Sequence, residues 1–285
     1  MKMMALLIFA ILMFSSIPIF SAEYATALEL QPLPRAKWTI MVYMDGDNDL
    51  EDMMIEDLNE MEAVGSTDDV RIVAQIDRWD GFSHNSYKDS KDNTSNGNWT
   101  DTRRYYVTQD SDPDIIHSQL WAKIGEKNMG DPQTLQDFID WSKYYFPANH
   151  YLLILEDHGH ALPPMVGNTG VCWDWTSDQD HYERLTPSEL RTVNFNVEIL
   201  ALDACEMAYT EFFYELTGKG IGIIIASEEV MPADGLPYHP PDDNADIIGY
   251  ITKNSDMPPP EFASNIVEEY GKNMQMISIL FLLSI

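Results

Sequence analysis

Two short apolar runs of this sequence each end at a side chain that could take part in nucleophilic catalysis. His158 follows the run 151–155, and Cys205 follows the run 197–202. Because the carboxyl ends of parallel strands meet at one edge of a sheet, we expect the imidazole and the thiol to lie near each other. A neighbouring imidazole that takes the thiol proton makes the thiol an effective nucleophile. The pattern predicts a Cys/His pair; a buried inert cysteine and a loop histidine are the alternatives.

The elements around these two side chains are typical of an α/β fold. Further strands are predicted at 38–44, 70–76 and 221–226, and helices at 50–61, 131–146 and 206–216. Thr186 and Glu189 make a capping box with Pro187 at the first helical position, which predicts another helix start. Strands that alternate with helices favour a parallel sheet covered on both faces. We therefore expect a three-layer α/β sandwich with a mostly parallel central sheet.

Composition limits the partners that the chain can have. Its 285 residues carry a formal net charge of −30. Nucleic acid is excluded as a partner because its phosphates require Lys and Arg. The charge favours cationic substrates, although for most of the carboxylates the better interpretation is that they keep the protein soluble.

The two ends of the chain differ from its middle. Residues 1–27 have the pattern of a signal peptide, with Lys2, an apolar run and a small-residue cleavage site at 25–27. An uncleaved membrane anchor is the minor alternative. We expect a domain over 28–273 and an atypical apolar tail over 274–285, either truncated or a final strand. The mature protein is expected to be a monomer, secreted or at the cell surface, without membrane contact.

The two cysteines, Cys172 and Cys205, do not make a disulfide framework. A single disulfide between them is the alternative to a free Cys205 and a packed, inert Cys172. A metal site receives little support. The spacing of an EF-hand calcium loop is matched at its start by Asp45, Asp47 and Asp49. The sixth position of that loop requires glycine, but this chain has Leu50 there.

Four motifs give the chain a wider resemblance. They are MVYMDGDNDLE at 41–51, EDHG at 156–159, LDACEM at 202–207, and ASEE with DGLPY at 226–229 and 234–238. In their order and spacing the chain resembles, from about residue 38 to 238, the clostripain family of cysteine peptidases, relatives of caspases, gingipains and legumains. The resemblance implies a caspase-like central sheet and a clostripain-like peptidase domain over 28–273.

The resemblance also implies a role for each motif residue. Cys205 would be the nucleophile and His158 the base and then the acid, with the amides of Gly159 and Cys205 as the oxyanion hole. Asp203 and Asp234 would line the substrate-binding pocket and select Arg or Lys. Purely structural roles are the alternatives. Gly159 would be an ordinary turn glycine, Asp203 a helix N-cap and Asp234 a turn residue. In the legumain relatives a side chain from the first turn orients the histidine, which suggests Asp45 or Asn48 here.

The function predicted from these residues is a secreted cysteine endopeptidase that cleaves peptide or protein substrates after Arg or Lys. No cofactor or metal is expected, with calcium left open because some relatives respond to it. One alternative is a non-catalytic, caspase-like peptide-binding or cell-surface protein. A weaker one is a metal-dependent hydrolase that uses His158, His160 and nearby aspartates.

Overall fold

A single large sheet positions every element of the fold. The computed structural model describes residues 31–79, 96–160, 169–177, 183–232, 234–240, 245–273 and 280–284. The chain divides into two units, Met1–Gln31 and Pro32–Ile285, and all of the described elements belong to the second. The predicted signal peptide, residues 1–27, lies outside the described residues.

The elements follow one another as strands and helices along the chain. They are β1 (Ala36–Gly46), α1 (Glu51–Val64), β2 (Val70–Arg78), β3 (Thr102–Tyr106), β4 (Gln119–Gly125), α2 (Pro132–Tyr145), β5 (Ala148–Glu156), β6 (Gly159–His160), β7 (Gly170–Asp174), β8 (Glu183–Leu185), α3 (Pro187–Leu190), β9 (Val197–Asp203), α4 (Thr210–Glu215), β10 (Ile221–Ser227), α5 (Ile247–Lys253), α6 (Pro259–Asn273) and β11 (Leu280–Ser284).

Eight strands of the described residues form the main sheet, in the order β11-β10-β9-β5-β1-β2-β3-β4. The five strands from β10 to β2 run parallel, and β11, β3 and β4 run antiparallel to their neighbours. The central strands are near-continuous apolar runs because both of their faces are buried. The prediction of a mostly parallel sheet is confirmed.

Helices cover both faces of the sheet. On one face, α1, α5 and α6 pack through residues such as Met54, Ile248 and Phe262. On the other, α2, α3 and α4 pack through residues such as Phe138, Leu190 and Phe212. This arrangement confirms the three-layer α/β sandwich. No helix of the described residues combines the length and the apolarity that crossing a membrane requires.

Local signals place several of these helices. Asp131 caps α2 by accepting a hydrogen bond from Gln133 N, with Pro132 in the first turn. The capping box of Thr186 and Glu189 is present at the start of α3. The helix over 131–146 and the capping box were predicted, whereas the cap by Asp131 was not.

One predicted element differs from the structure. The helix predicted from Glu206 begins only at Thr210. The reason is that Glu206 has a φ of 53° and the amides of Glu206 and Ala208 donate to Glu229 O and Ser227 O, so this stretch is a turn anchored to the next strand. For the tail at 274–285, where a final strand was one of the two alternatives, the described residues 280–284 form β11, which pairs with β10.

A second, three-stranded sheet of β6, β7 and β8 lies beside the end of β5. Val171 of β7 pairs with Gly159 of β6 and with Leu185 of β8. Because β6 begins one residue after His158, this small sheet fixes the path of the chain directly beyond the candidate catalytic histidine.

Candidate active site

The two candidate catalytic side chains leave neighbouring parallel strands at the same level. Glu156 of β5 and Asp203 of β9 are register partners, and His158 and Cys205 each follow two residues later. Asp157 N donates to Asp203 O at 3.2 Å, which ties the two chain segments together. His158 and Cys205 both line one cavity of about 290 Å³. The structure therefore brings the predicted pair together.

Gly159 is required by this close approach. A Cβ atom at its position would lie 2.7 Å from Cys205 O and 2.8 Å from Ala204 Cβ, closer than real Cβ contacts. The glycine is thus more than an ordinary turn residue, because it lets the histidine segment touch the cysteine segment.

Asp49 is the partner of the His158 imidazole. Its Oδ1 lies 2.7 Å from His158 Nε2. Burial alone would lower the pKa of His158, but the hydrogen bond with Asp49 and the charges of Asp157 and Asp49 outweigh it and raise the pKa. The ring of Trp175 stacks parallel to the imidazole, with centroids 6.4 Å apart.

The expectation that Asp45 or Asn48 orients the histidine is therefore corrected. Asn48 Nδ2 donates instead to Asp157 Oδ1 at 2.7 Å and to Trp173 O at 3.1 Å, so it braces the residue before the histidine. The Asp45 side chain is fully buried. Asp49 follows both in the same turn and points at the imidazole.

The Cys205 thiol is free and partly exposed to the cavity. Its Sγ accepts a hydrogen bond from Met231 N at 3.3 Å. Burial raises the pKa of the thiol, and the acidic charges of Glu206, Asp203 and Asp157 raise it further, while the Met231 amide offsets part of the effect. In the described chain no hydrogen bond joins the thiol to His158 directly, so the resting pair is a protonated thiol beside an imidazole held by Asp49.

Asp203 does not cap a helix. Its Oδ2 accepts hydrogen bonds from Leu236 N at 2.9 Å and from the Tyr238 hydroxyl at 3.0 Å. The carboxyl lines the same cavity as Cys205. Burial raises the pKa of Asp203 to about 6, and the two hydrogen bonds limit the rise. The structure thus assigns this acid to the cavity wall.

The second predicted pocket residue, Asp234, lies elsewhere. Its side chain is exposed, and Gly235 rather than Asp234 belongs to the cavity lining. Sequence reasoning missed two other acids that line the cavity, Asp57 of α1 and Glu156 of β5. The signal for Glu156 was present, since it is the register partner of Asp203.

The two histidines do not form a metal site. His160 Nδ1 lies 2.7 Å from Glu206 Oε2, whereas His158 pairs with Asp49. Elsewhere in the described ranges, ligand oxygens of Asp47, Glu126 and Asp174 lie within 4.8 Å of one another. Asp47 Oδ1 is buried without a hydrogen-bond partner among the described residues, so hard oxygen donors that suit calcium are present there.

A thiol and an imidazole that follow neighbouring strands of a parallel sheet and share an acid-lined cavity form an arrangement typical of cysteine-dependent hydrolases. The model of the clostripain family, Peptidase_C11, matches residues 42–280. That match covers well over half of the chain, and the chain belongs to this family.

Individual relatives agree with the family match. Clostripain of Hathewaya histolytica is 28% identical over 220 residues, which is 71% of this chain and 41% of that protein. The X-ray structure of a secreted C11 cysteine protease from Bacteroides thetaiotaomicron, bound to an irreversible peptide inhibitor, has a TM-score of 0.60 at 21% identity over 82% of this chain and 58% of its own.

The X-ray structure of an inactive zymogen C11 protease from Parabacteroides distasonis also has a TM-score of 0.60, at 18% identity over 88% of this chain and 63% of its own. The two solved structures support the fold. The chain spans less than two thirds of the length of each of these relatives.

Proposed function

We propose that this chain is a secreted cysteine endopeptidase that cleaves peptide bonds after Arg or Lys. The observation that supports the proposal is the shared cavity, which is lined by Cys205, His158 and Asp203. A cationic side chain bound by Asp203 in this cavity would hold its own carbonyl within reach of the nucleophile. Secretion is supported by the pattern of residues 1–27 and by the description of the Bacteroides relative as secreted.

The reaction follows from the protonation states of the resting pair. As Cys205 Sγ bonds to the substrate carbonyl carbon, His158 takes the thiol proton. The negative oxygen receives hydrogen bonds from the Gly159 and Cys205 amides, donors that are worth roughly 3 to 4 kcal/mol each. Collapse of the intermediate breaks the peptide bond, and His158 returns the proton to the leaving amine. Water, deprotonated by His158, then releases the acyl group from sulfur.

Apart from the substrate and one water molecule, the steps above use groups of the chain itself. A calcium ion, where one binds, would be held by Asp47, Glu126 and Asp174, and would compensate the charge of these carboxylates. None of the three lines the cavity of Cys205.

The Asp203→Asn variant tests the proposed specificity. We expect cleavage after Arg and Lys to fall at least about 100-fold, because the charge that meets the substrate cation is lost. Asn keeps an oxygen for Leu236 N and Tyr238, so the melting temperature should change little. Peptide hydrolysis and thermal unfolding are measured on the same preparation. Equal losses of activity and stability would show that Asp203 only anchors the 235–238 loop.

A second candidate function is a non-catalytic peptide-binding protein. The observation that favours it is the contact of the Cys205 thiol with Met231 instead of His158. Peptide binding without turnover by the folded wild-type chain would support this function against the proposal.

A further inference from the structure

A second histidine and acid pair lies next to the nucleophile and has no part in the reaction described above. His160 Nδ1 lies 2.7 Å from Glu206 Oε2. Since a carboxylate only accepts hydrogen bonds, the Nδ1–H of His160 is the donor. Neither residue lines the cavity that Cys205 and His158 line. The pair is therefore separate from the acids of that cavity.

The pair joins the two segments that carry the catalytic side chains. Segment 158–160 carries the base, and segment 204–207 carries the nucleophile. The ladder of β5 with β9 ends before either segment begins. In the part of the chain that the structure describes, the bond between His160 and Glu206 is the one side-chain hydrogen bond between these two segments. It therefore continues the connection of the two strands beyond the sheet.

Each partner of the pair is anchored by its backbone to a different part of the fold. His160 belongs to β6, where it pairs with Gly170 of β7. Glu206 N donates to Glu229 O at 3.1 Å, beyond the end of β10. The side-chain hydrogen bond thus ties the small sheet to the turn that follows the nucleophile.

The backbone of Glu206 indicates that its side chain is needed at this position. Its φ of 53° lies in the left-handed region, which favours glycine and is unfavourable for glutamate. Strained residues of this kind persist where the surrounding structure holds them, and they cluster at active sites. Glycine would relieve the strain but could not bond to His160. The chain keeps the strained residue that makes the link.

The two linked segments supply the amides of the proposed oxyanion hole. Gly159 directly precedes His160, and Cys205 directly precedes Glu206. Gly159 already touches the other segment, since a Cβ atom there would lie 2.7 Å from Cys205 O. Such a contact stops the segments from approaching further, whereas a hydrogen bond between them resists their separation. Both restraints together fix the distance between the segments.

The bond between His160 and Glu206 supplies the second restraint. We propose that His160 and Glu206 are positioning residues that keep the two oxyanion-hole amides at the separation that the negative oxygen requires. Because neither residue lines the cavity, both act through the amides and not on the substrate. This inference rests on the proposed function, since the oxyanion forms during attack on the peptide carbonyl.

Truncation of either side chain tests the link. In Glu206→Ala, kcat should fall about 10- to 100-fold, part of the roughly 10²–10³-fold that loss of one oxyanion donor costs, while KM changes less than about 3-fold. Glu206→Gln keeps an oxygen that accepts from His160 and should retain kcat within about 3-fold. His160→Ala should match Glu206→Ala, and the double variant should lose no more than either single variant.

Two reagents separate this role from a general disturbance of the nucleophile. Iodoacetamide reacts with the Cys205 thiol without forming an oxyanion. Burial raises the pKa of the thiol most, and the Glu206 charge adds to the rise, so Glu206→Ala should be alkylated at the wild-type rate or faster. An acetylated peptide aldehyde that ends in Arg adds to the thiol and places its oxygen where the oxyanion forms. It should bind about 10- to 100-fold more weakly to the same variant.

Glu198→Ala is the matched control. Glu198 Oε1 lies 3.9 Å from His150 Nδ1 and links the same two strands, β5 and β9, at their other end. Its removal should leave kcat and aldehyde binding unchanged. Thermal melts accompany every variant, and His160→Ala serves as the test where Glu206→Ala does not fold. A wild-type kcat in Glu206→Ala, or an alkylation rate that falls as far as kcat does, would overturn the proposal.

Failure of the proposed function has a different signature. A wild-type chain that cleaves after Leu or Asp instead of Arg and Lys contradicts the specificity, and the link is then tested with the peptide that is cleaved. A wild-type chain that cleaves no peptide contradicts the endopeptidase itself, and the aldehyde then decides. Binding that weakens at least about 10-fold in Glu206→Ala and in His160→Ala would support the positioning role. No binding to the wild-type chain, or binding that neither variant weakens, would overturn it.

Discussion

The two cysteines of this chain have the same chemistry but different surroundings. Cys172 is 0% exposed, lies in β7 within the apolar core and has a φ of 58°. Cys205 lines the cavity, and its sulfur accepts a hydrogen bond from the Met231 amide. Burial raises the pKa of both thiols, and the Asp157 charge adds to the rise in each case. The acidic surroundings therefore do not distinguish the nucleophile; access to the cavity and to His158 does.

Alkylation of the native protein gives the largest contrast between the two thiols. Iodoacetamide should modify Cys205 at least about 100-fold faster than Cys172, because a core thiol reacts only after local opening. Peptide mapping by mass spectrometry measures both rates in one sample. Native Cys205→Ala protein should resist modification, and its Cys172 should react once the protein is unfolded in denaturant. Comparable alkylation rates at both positions in the native protein would show that access to the cavity does not distinguish the two thiols.

The Asp49→Asn variant examines what the histidine adds to the accessible cysteine. Since Asp49 raises the pKa of His158 and burial lowers it, the variant should lower that pKa. The base form of His158 then persists to lower pH, so the acid limb of the kcat/KM profile should move to lower pH. The plateau should fall on the order of 10-fold, part of the 10²–10⁴ that a positioned proton carrier contributes.

Glu206→Gln is the matched control for this variant. It removes the carboxylate that lies 2.7 Å from His160, the same separation as in the Asp49 pair. The acid limb should stay where it is in the wild type. An acid limb that moves with Glu206→Gln and not with Asp49→Asn would show that His160, and not His158, carries the proton.

The buried acids near the two thiols should lower the free energy of unfolding as the pH rises. Burial raises the pKa of Glu156 to about 8, of Asp157 to about 7 and of Asp203 to about 6. The folded chain therefore binds more protons than the unfolded chain, and stability is lost as the pH rises through these values. Each extra proton changes stability by roughly 1.4 kcal/mol per pH unit.

A thermal melt series measures this effect. The melting temperature should fall by at least about 4 °C between pH 5.5 and 8.5, given the usual conversion of 2–4 °C per kcal/mol for domains of this size. A melting temperature that rises over this interval would show that the acids are compensated in solution.

Sequence reasoning reached the parts of the site that depend on strand ends. The apolar runs before His158 and Cys205 required buried strands, and parallel strands bring their carboxyl ends together. Caps are equally local, so the capping box of Thr186 was visible as well. These features depend on a few adjacent residues and on rules that hold in most sheets.

The missed features depend on packing between distant segments. Asp45, Asn48 and Asp49 share one turn, and only the position of the β5 end decides that Asp49 meets the imidazole. From the sequence, Asp57 is expected to be a solvated acid on a helix, but in the structure its side chain is buried. Glu206 was predicted to begin a helix, but contacts with Glu229 and the neighbouring strand hold it in a turn.

Hydrolysis of fluorogenic peptides by the mature chain tests the central claim most directly. Peptides with Arg, Lys, Asp or Leu before the reporter group are compared on wild-type and Cys205→Ala protein. The account predicts cleavage after Arg and Lys that falls at least about 10³-fold in the variant. Cleavage that survives in Cys205→Ala, or a folded wild-type chain that cleaves none of the four, would contradict it.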